Sequence, residues 1–300
     1  IRTYTLSAAP SDGFYRISVK RQSHVAAHLH GLKIGDTLEV RAPAGNFTID
    51  ALERRPAVLM AAGIGITPML AMLRHIIFEG LRKRRIRPTW LFYAARNLED
   101  RAFDREIAQL LAQGQGLVRL VRVLSDVAGA REKEDYDIAG RVDMALLSAT
   151  LPFGDYDFYL CGPGPFMQAV YDGLRGYNIS NTRIHAEAFG PASLTRVADV
   201  GVPAVVLGAP SKETVPVAFT ASGKEARWTP ASGSLLELAE SRGLTPPFSC
   251  RGGSCGSCRT KVIEGAVTYH TAPSAEVTQG EALICCAVPE EGTTRLLLDL

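Results

Sequence analysis

The chain is expected to be multidomain: a β-rich first segment, an α/β doubly wound parallel sheet, and a small α+β module. Three observations predict this. At 300 residues it is long enough for about two to three domains. From Pro56 onward, short apolar runs alternate with amphipathic stretches of 3.6-residue period, the rhythm of parallel strands joined by helices. Five of the six cysteines fall in the last fifth of the chain, three as Cys250-x4-Cys255-x2-Cys258 and two as Cys285-Cys286.

Taken in order, the first segment has an alternating stretch at 1–7 and another at 15–21 after an Asp12-Gly13 turn, then a third at 35–47, all predicted as strands. His24, His28 and His30 lie between them without a neighbouring carboxylate or cysteine, so they are predicted as surface or packing residues rather than metal ligands. Residues 57–62 then form a buried parallel strand. Gly63-Ile-Gly65 is its turn, with Thr67 as N-cap and Pro68 in the first helical position. The rhythm repeats at 89–95, 103–111, 118–124, 142–149, 156–161, 165–174 and 183–187, giving about five parallel strands. Residues 191–212 hold Pro, Gly, Ala and Ser with few large apolar residues and are predicted as a linker. Beyond it come strands at 215–221 and 224–229 around a Ser222-Gly-Lys turn, a helix at 235–241, the cysteine loop, and a last strand at 296–300.

Composition excludes several classes. The net charge of +2 is interspersed apart from Arg82-Lys-Arg-Arg85, so no nucleic-acid partner is expected. The longest uncharged stretch, 57–73, is broken by glycines and a proline, which predicts no membrane span. No targeting segment or disulfide framework is visible, which predicts a cytoplasmic protein with reduced cysteines.

The cysteine spacing carries the most chemistry. C-x4-C-x2-C is the arrangement with which plant-type ferredoxins hold a 2Fe-2S cluster. Gly252, Gly253 and Gly256 let the loop adopt positive φ and turn backbone N–H groups toward sulfur. A structural zinc site prefers two C-x2-C pairs or a Cys/His set, and here only one such pair exists. The fourth ligand is Cys285 or Cys286.

These motifs resemble those of the ferredoxin reductase superfamily of flavoproteins, with a C-terminal plant-type ferredoxin domain as in phthalate dioxygenase reductase. The resemblance covers roughly the whole chain. Leu283-Ile-Cys-Cys-Ala-Val-Pro289 is similar to the ferredoxin segment whose ligand lies four residues before a proline, which implies Cys250, Cys255, Cys258 and Cys285, with Cys286 as runner-up. Arg2-Thr-Tyr4-Thr5 resembles the flavin motif and implies phosphate binding by Arg2, ring packing by Tyr4 and a hydroxyl near flavin N5 from Thr5. Val19, Lys20, Val25 and Ala26 fall in the matching flavin-contact positions; Ala26 stands where the family usually has a serine. The stretch 35–47 is similar to flavohaemoglobin reductase, which implies FAD, with FMN as the alternative.

Gly63-Ile-Gly65-Ile-Thr67-Pro68 resembles the pyridine-nucleotide loop, and Cys161-Gly162-Pro163, with Phe166 and Met167 behind it, resembles the motif beside the nicotinamide. Glu187-Ala-Phe189-Gly is similar to the segment that packs on the flavin. Catalytic positions are thereby implied at Thr5, Cys161 and Glu187. Donor choice is expected in 93–103, where Arg96 and Arg101 favour NADPH and Glu99 and Asp100 favour NADH; the charge balance predicts NADH, with NADPH as the alternative.

The implied architecture is a partial Greek-key flavin β-barrel over 1–52, an NAD(P)-binding domain over 53–190, the linker 191–212 and a β-grasp ferredoxin domain over 213–300. The family's barrel has three strands before the arginine motif, so residues upstream of Ile1 are expected. The implied function is NAD(P)H-dependent electron transfer through flavin and cluster to a terminal oxygenase or other redox protein. Two alternatives accompany it: the reductase half of a fusion, for instance behind a pyridoxamine-phosphate-oxidase-like domain of the same chain, and an electron carrier with an incomplete flavin site.

Overall fold

The computed structural model describes all residues except 1–2, 22–23, 41, 44, 190–193, 198, 200–206, 249–250, 254–255, 271–272, 274 and 276. Two compact units divide between residues 189 and 190, with a short excursion at 44–46 assigned to the second.

The first unit centres on a six-stranded sheet. Its strands are β1 (Ala57–Ala62), β2 (Thr89–Ala95), β3 (Val118–Leu124), β4 (Ile138–Ala139), β5 (Asp157–Cys161) and β6 (Ile184–Glu187). The order is β4-β3-β2-β1-β5-β6, and every pairing is parallel. Five of these strands match the sequence expectation. The two-residue β4 adds a sixth that is too short to show a period. Central β1 is apolar throughout because helices cover both faces of such a sheet. Its Leu59 and Met60 are fully buried.

Helices α2 (Ile66–Arg82), α3 (Asp104–Gln113), α4 (Met144–Thr150) and α5 (Gly164–Gly176) make the crossovers. Together with its preceding 3-10 turn, α2 is long and apolar enough to cross a membrane, yet 61% of its most apolar window is buried. It is a core helix: Met69, Leu70, Leu73, Ile76 and Ile77 pack against the sheet. Its start differs from expectation. A 3-10 turn at Gly63–Gly65 precedes it and Gly65 is the N-cap, so Thr67 is the second residue of the helix's first turn and its hydroxyl donates back to the Ile64 carbonyl at 3.1 Å.

Residues 3–56 carry one described helix, α1 (His24–Gly31), and an isolated antiparallel bridge, Leu6↔Ile17. Among the described residues, the strands expected at 1–7, 15–21 and 35–47 form no ladder beyond that bridge. A strand persists where a neighbour takes its alternate N–H and C=O groups, and here side chains hold the 15–21 stretch instead.

The second unit has a five-stranded mixed sheet, β11-β9-β13-β7-β8, and the pair β10-β12. Its strands are β7 (Val215–Phe219), β8 (Lys224–Trp228), β9 (Arg259–Glu264), β10 (Val267–Tyr269), β11 (Glu281–Leu283), β12 (Ala287–Pro289) and β13 (Leu296–Leu298). Helix α6 (Leu235–Ser241) starts at a Ser234/Glu237 capping box and packs on a core with Phe219, Trp228 and Leu298. Half of the expected linker, 191–212, lies outside the described residues. Its end does not behave as linker: Pro210 bridges Glu290, and the Ser211 N–H donates to the Pro289 carbonyl at 2.9 Å.

Candidate functional site

The sheet's order reverses beside β1, which lies between β2 and β5, and open α/β sheets bind ligands at the carboxyl ends of such a pair. The loops leaving β1 and β5 touch there. A Cβ on Gly65 would lie 2.2 Å from the Cys161 carbonyl oxygen, and one on Gly162 would meet the Phe166 ring at 2.8 Å and Ala62 Cβ at 2.9 Å. Gly63 has φ +55°, a left-handed conformation that suits glycine. The first turn of α2 opens at this corner, where N–H groups lack intrahelical partners. On the β5 side, Pro163 caps α5, Phe166 is half-buried, and Met167 is buried.

Thr5 and Glu187 are 182 residues apart, yet Thr5 Oγ1 donates to Glu187 Oε2 at 2.8 Å. Glu187 is also the register partner of Cys161 across β5 and β6. The three predicted catalytic positions therefore converge at the carboxyl end of β5. Cys161 is fully buried, and burial, with the Glu187 carboxylate adding to it, pushes its thiol well above the ordinary value. A protonated thiol is a packing surface rather than a nucleophile.

What holds Thr5 in place is a set of charged groups that the sequence reading did not single out. The Ser7 N–H donates to the Arg16 carbonyl at 2.7 Å, and Arg16 Nε donates to Ser7 Oγ at 3.1 Å. Arg16 also pairs with Glu106 of α3 at 2.9 Å. Arg74 of α2 joins both Glu106 at 2.9 Å and Asp12 at 2.8 Å, and Lys20 reaches Asp100 at 3.1 Å. The Arg74 guanidinium holds the Asp12 carboxyl below the usual carboxylate range, against the cost of burial and with help from the Ala9 N–H. Asp12 lies in a turn, its N–H donating to the Ala9 carbonyl at 3.0 Å, so these partners share no strand period that the sequence could show.

At the end of β2, Arg96 Nη2 pairs with Asp100 at 2.9 Å. Arg101 does not present itself to a ligand: its side chain is 4% exposed and is spent on Asp104 at 2.7 Å and on the Asp135 carbonyl. Burial pushes the neighbouring Tyr93 phenol up to about 12, and its oxygen accepts the Ala102 N–H at 2.9 Å.

Of the remaining flavin positions, Tyr4, Val19 and Val25 are half-buried, Ala26 is buried, and Lys20 is exposed on Asp100. His30 Nε2 lies 2.8 Å from the Val19 carbonyl, which ties α1 to the chain before it. Phe189 is 37% exposed beyond β6. Arg2 lies outside the described residues.

In the second unit, pairing brings distant cysteines together. Leu283 is the partner of Arg259 between β11 and β9, and the Ile284 N–H donates to the Cys258 carbonyl at 3.4 Å, placing Cys258 beside Cys285. Cys258 and Cys285 are buried, while Cys286 is half-buried with its Sγ 2.8 Å from where a Gly253 Cβ would stand. Gly253 and Gly256 have φ near +72°, open backbone of the kind a cluster loop needs. Burial raises the Tyr269 phenol, and the thiols of Cys286, Cys258 and Cys285 are close enough to add to the effect. Cys250 and Cys255 lie outside the described residues, and among the described residues no three potential ligands gather. Paired buried thiols and a glycine-lined loop fit an iron–sulfur group.

Comparison with known proteins agrees with both sites. Residues 59–172 match the oxidoreductase NAD-binding domain family and residues 219–290 the 2Fe-2S iron-sulfur cluster binding domain family. The solved structure of phthalate dioxygenase reductase, described as a modular structure for electron transfer from pyridine nucleotides to [2Fe-2S], covers 100% of this chain and 83% of its own at 26% identity and TM-score 0.55. The chain belongs to the ferredoxin reductase superfamily. A second superfamily structure, the flavohem-like FAD/NAD binding domain of a nitric oxide dioxygenase from Vibrio cholerae, is 35% identical over 63% of this chain and 77% of its own, TM-score 0.54. A flavohemoprotein from Oceanobacillus iheyensis is 34% identical over 198 residues, 64% of this chain. The chain spans about half the length of the curated relatives it matches, 47% in that case.

Proposed function

We propose that the chain is an electron-transfer reductase, taking electrons from a reduced nicotinamide through a bound flavin to a 2Fe-2S cluster and on to a terminal oxygenase or another redox protein. A hydride donor delivers two electrons together and a cluster accepts one, and a flavin, when bound, supplies the chemistry that joins them. The observation that carries the reading is the Thr5–Glu187 hydrogen bond at the carboxyl end of β5, in a chain whose second unit matches a cluster-binding family.

The chain's own part is positional. With its proton committed to Glu187, Thr5 Oγ1 is left as an acceptor for a ring N–H. The Gly63–Gly65 turn and the start of α2 offer N–H groups to a pyrophosphate, and Cys161 and Met167 supply an apolar wall. Arg2, Tyr4, Val19, Lys20, Val25, Ala26 and Phe189 are assigned to the flavin, Gly162, Pro163 and Phe166 to the nicotinamide side. Cys250, Cys255, Cys258 and Cys285 are assigned to the cluster.

The finer readings are FAD rather than FMN, NADH rather than NADPH, a flavin domain over 1–52, an NAD domain over 53–190 and a ferredoxin domain over 213–300, in a cytoplasmic protein. Resemblance of 35–47 to flavohaemoglobin reductase supports FAD. The commitment of Arg101 to Asp104 and of Arg96 to Asp100 supports NADH. The test is chemical: iron, acid-labile sulfide and heat-released flavin per chain, with dye reduction by each nucleotide. Two irons and one FAD with NADH-driven reduction are expected; a chain that binds iron but no flavin would reduce the reading to a carrier.

A further inference from the structure

We infer that Tyr269 is a positioning residue of the iron–sulfur site: its phenol staples the turn that carries Cys285 and Cys286, and its O–H is a donor to the sulfur atoms there. The inference rests on the assignment of Cys258 and Cys285 as cluster ligands and deepens it.

The turn, 284–286, joins the end of β11 to the start of β12. β10 runs antiparallel to β12, with Tyr269 opposite Ala287, the residue after Cys286. β10 is itself held: the Thr268 hydroxyl donates to the Gly208 carbonyl at 2.7 Å, and the Glu290 N–H donates to the Ala266 carbonyl at 3.0 Å. From this anchored strand the Tyr269 side chain reaches the other end of the turn, where its hydroxyl oxygen accepts the Leu283 N–H at 3.3 Å.

That N–H needs an acceptor outside the ladder. Between β11 and β9, the Val262 N–H donates to the Gly280 carbonyl at 2.8 Å and the Ile284 N–H to the Cys258 carbonyl at 3.4 Å. Bonded and non-bonded pairs alternate along an antiparallel ladder, so Leu283 and Arg259 form a non-bonded pair and the Leu283 N–H points away from β9. β11 is an edge strand and Leu283 is fully buried, so neither a further strand nor bulk water can serve it. The Leu283 carbonyl is taken in the same way, by the Cys286 N–H at 3.0 Å and the Cys286 thiol at 3.4 Å. The residue two before Cys285 is therefore fixed through both of its backbone groups.

A hydroxyl that accepts one N–H still has its own hydrogen to give. Among the described residues, no group takes the one on Tyr269. A phenol keeps its proton at neutral pH. Burial raises this one further, and the Cys286, Cys258 and Cys285 sulfur atoms are near enough to add to the effect. Reduction adds negative charge to cluster and ligand sulfur, so a donor beside them stabilises the reduced form more than the oxidised one. Tyr269 thereby raises the potential at which the site accepts an electron.

Tyr269→Phe removes the oxygen and keeps the ring against the core of the second unit. In the full chain, iron and acid-labile sulfide verify loading, and a redox titration followed by paramagnetic resonance reads the midpoint. Hydrogen-exchange mass spectrometry of the peptide carrying Leu283 reads the staple. The Phe variant should load, exchange that amide at least about ten-fold faster, and show a reduced-to-oxidised ratio about ten-fold lower at the wild-type midpoint, a shift of about 59 mV for one electron. Loss of packing alone would speed exchange and leave the midpoint in place, so a loaded Phe variant with the wild-type midpoint would overturn the inference. Tyr269→Gln restores an acceptor and a donor in one amide and decides the case in which the Phe chain does not load. A loaded Gln chain then supports the role of the oxygen, and a Gln chain that also lacks the cluster overturns it. A wild-type chain without iron and sulfide would instead remove the ligand assignment, and the inference with it.

Discussion

In the parallel sheet, Leu59, Met60, Leu91 and Leu160 are fully buried, whereas the stretch from 14 to 40 leaves Phe14, Tyr15, Ile34 and Val40 more than half exposed. The sheet is held by ladders and apolar contact. The first segment is held on it by ion pairs and side-chain hydrogen bonds: Asp12–Arg74, Arg16–Glu106, Lys20–Asp100 and Thr5–Glu187. The same reaction site therefore has one wall made by non-directional burial and another set by charge geometry, and the two should answer differently to mutation, salt and pH.

The largest effect is expected in the first wall. Gly65→Ala puts a methyl 2.2 Å from a backbone oxygen, so β1 and β5 must part; a loss of about 2–4 kcal/mol in urea unfolding and of 5′-AMP binding is expected. A folded, binding-competent Gly65→Ala chain would show that the two loops are looser than their packing implies. In the second wall, Arg74→Met leaves Asp12 and Glu106 without their shared cation in a site where Asp12 and Arg74 are 11% and 15% exposed. It should cost about 1–3 kcal/mol.

Acid should find the second wall first. Because the Asp12 carboxyl is depressed in the folded chain, its stabilising contribution is complete above the unfolded value near 3.8 and is lost as pH falls through the lower folded value. Melting curves between pH 6 and pH 3 should show Arg74→Met losing less than wild type over this window, since its Asp12 no longer has that partner to lose.

This contrast also explains what was legible in the sequence. β1, β2, β3, β5 and β6, with α2, α3, α5 and α6, followed from apolar period, because burial writes itself into neighbouring residues. Thr5 and Glu187 were each implied at the flavin by a separate motif, whereas their mutual hydrogen bond was not. Glu106 and Arg74 were not visible, because ion pairs across 32, 62 and 90 residues leave no local pattern. Thr67 was misplaced as N-cap because a 3-10 turn moved the start of the helix to Gly65. Arg101 looked like a ligand until its partner Asp104, three residues on, was seen to claim it.

Smaller effects sharpen the comparison. Thr5→Val removes one half-buried hydrogen bond, so stability should fall by only about 1 kcal/mol. The rate of flavin reduction should still drop about ten-fold, because the acceptor it aims is lost. A chain as fast as wild type would detach the Thr5–Glu187 pair from the chemistry. In the second unit, Cys286→Ser should change cluster absorbance least of all, whereas Cys285→Ser should abolish or shift it. The reverse result would move the fourth ligand to Cys286.

The proposed electron route is tested most directly by an anaerobic titration with NADH, following visible absorbance for the flavin and cluster and low-temperature paramagnetic resonance for the reduced cluster. The account predicts that NADH alone bleaches both bands and brings up the cluster signal, at about one and a half equivalents per chain for three electrons. A cluster that dithionite reduces but NADH leaves oxidised, with flavin bound, would contradict it.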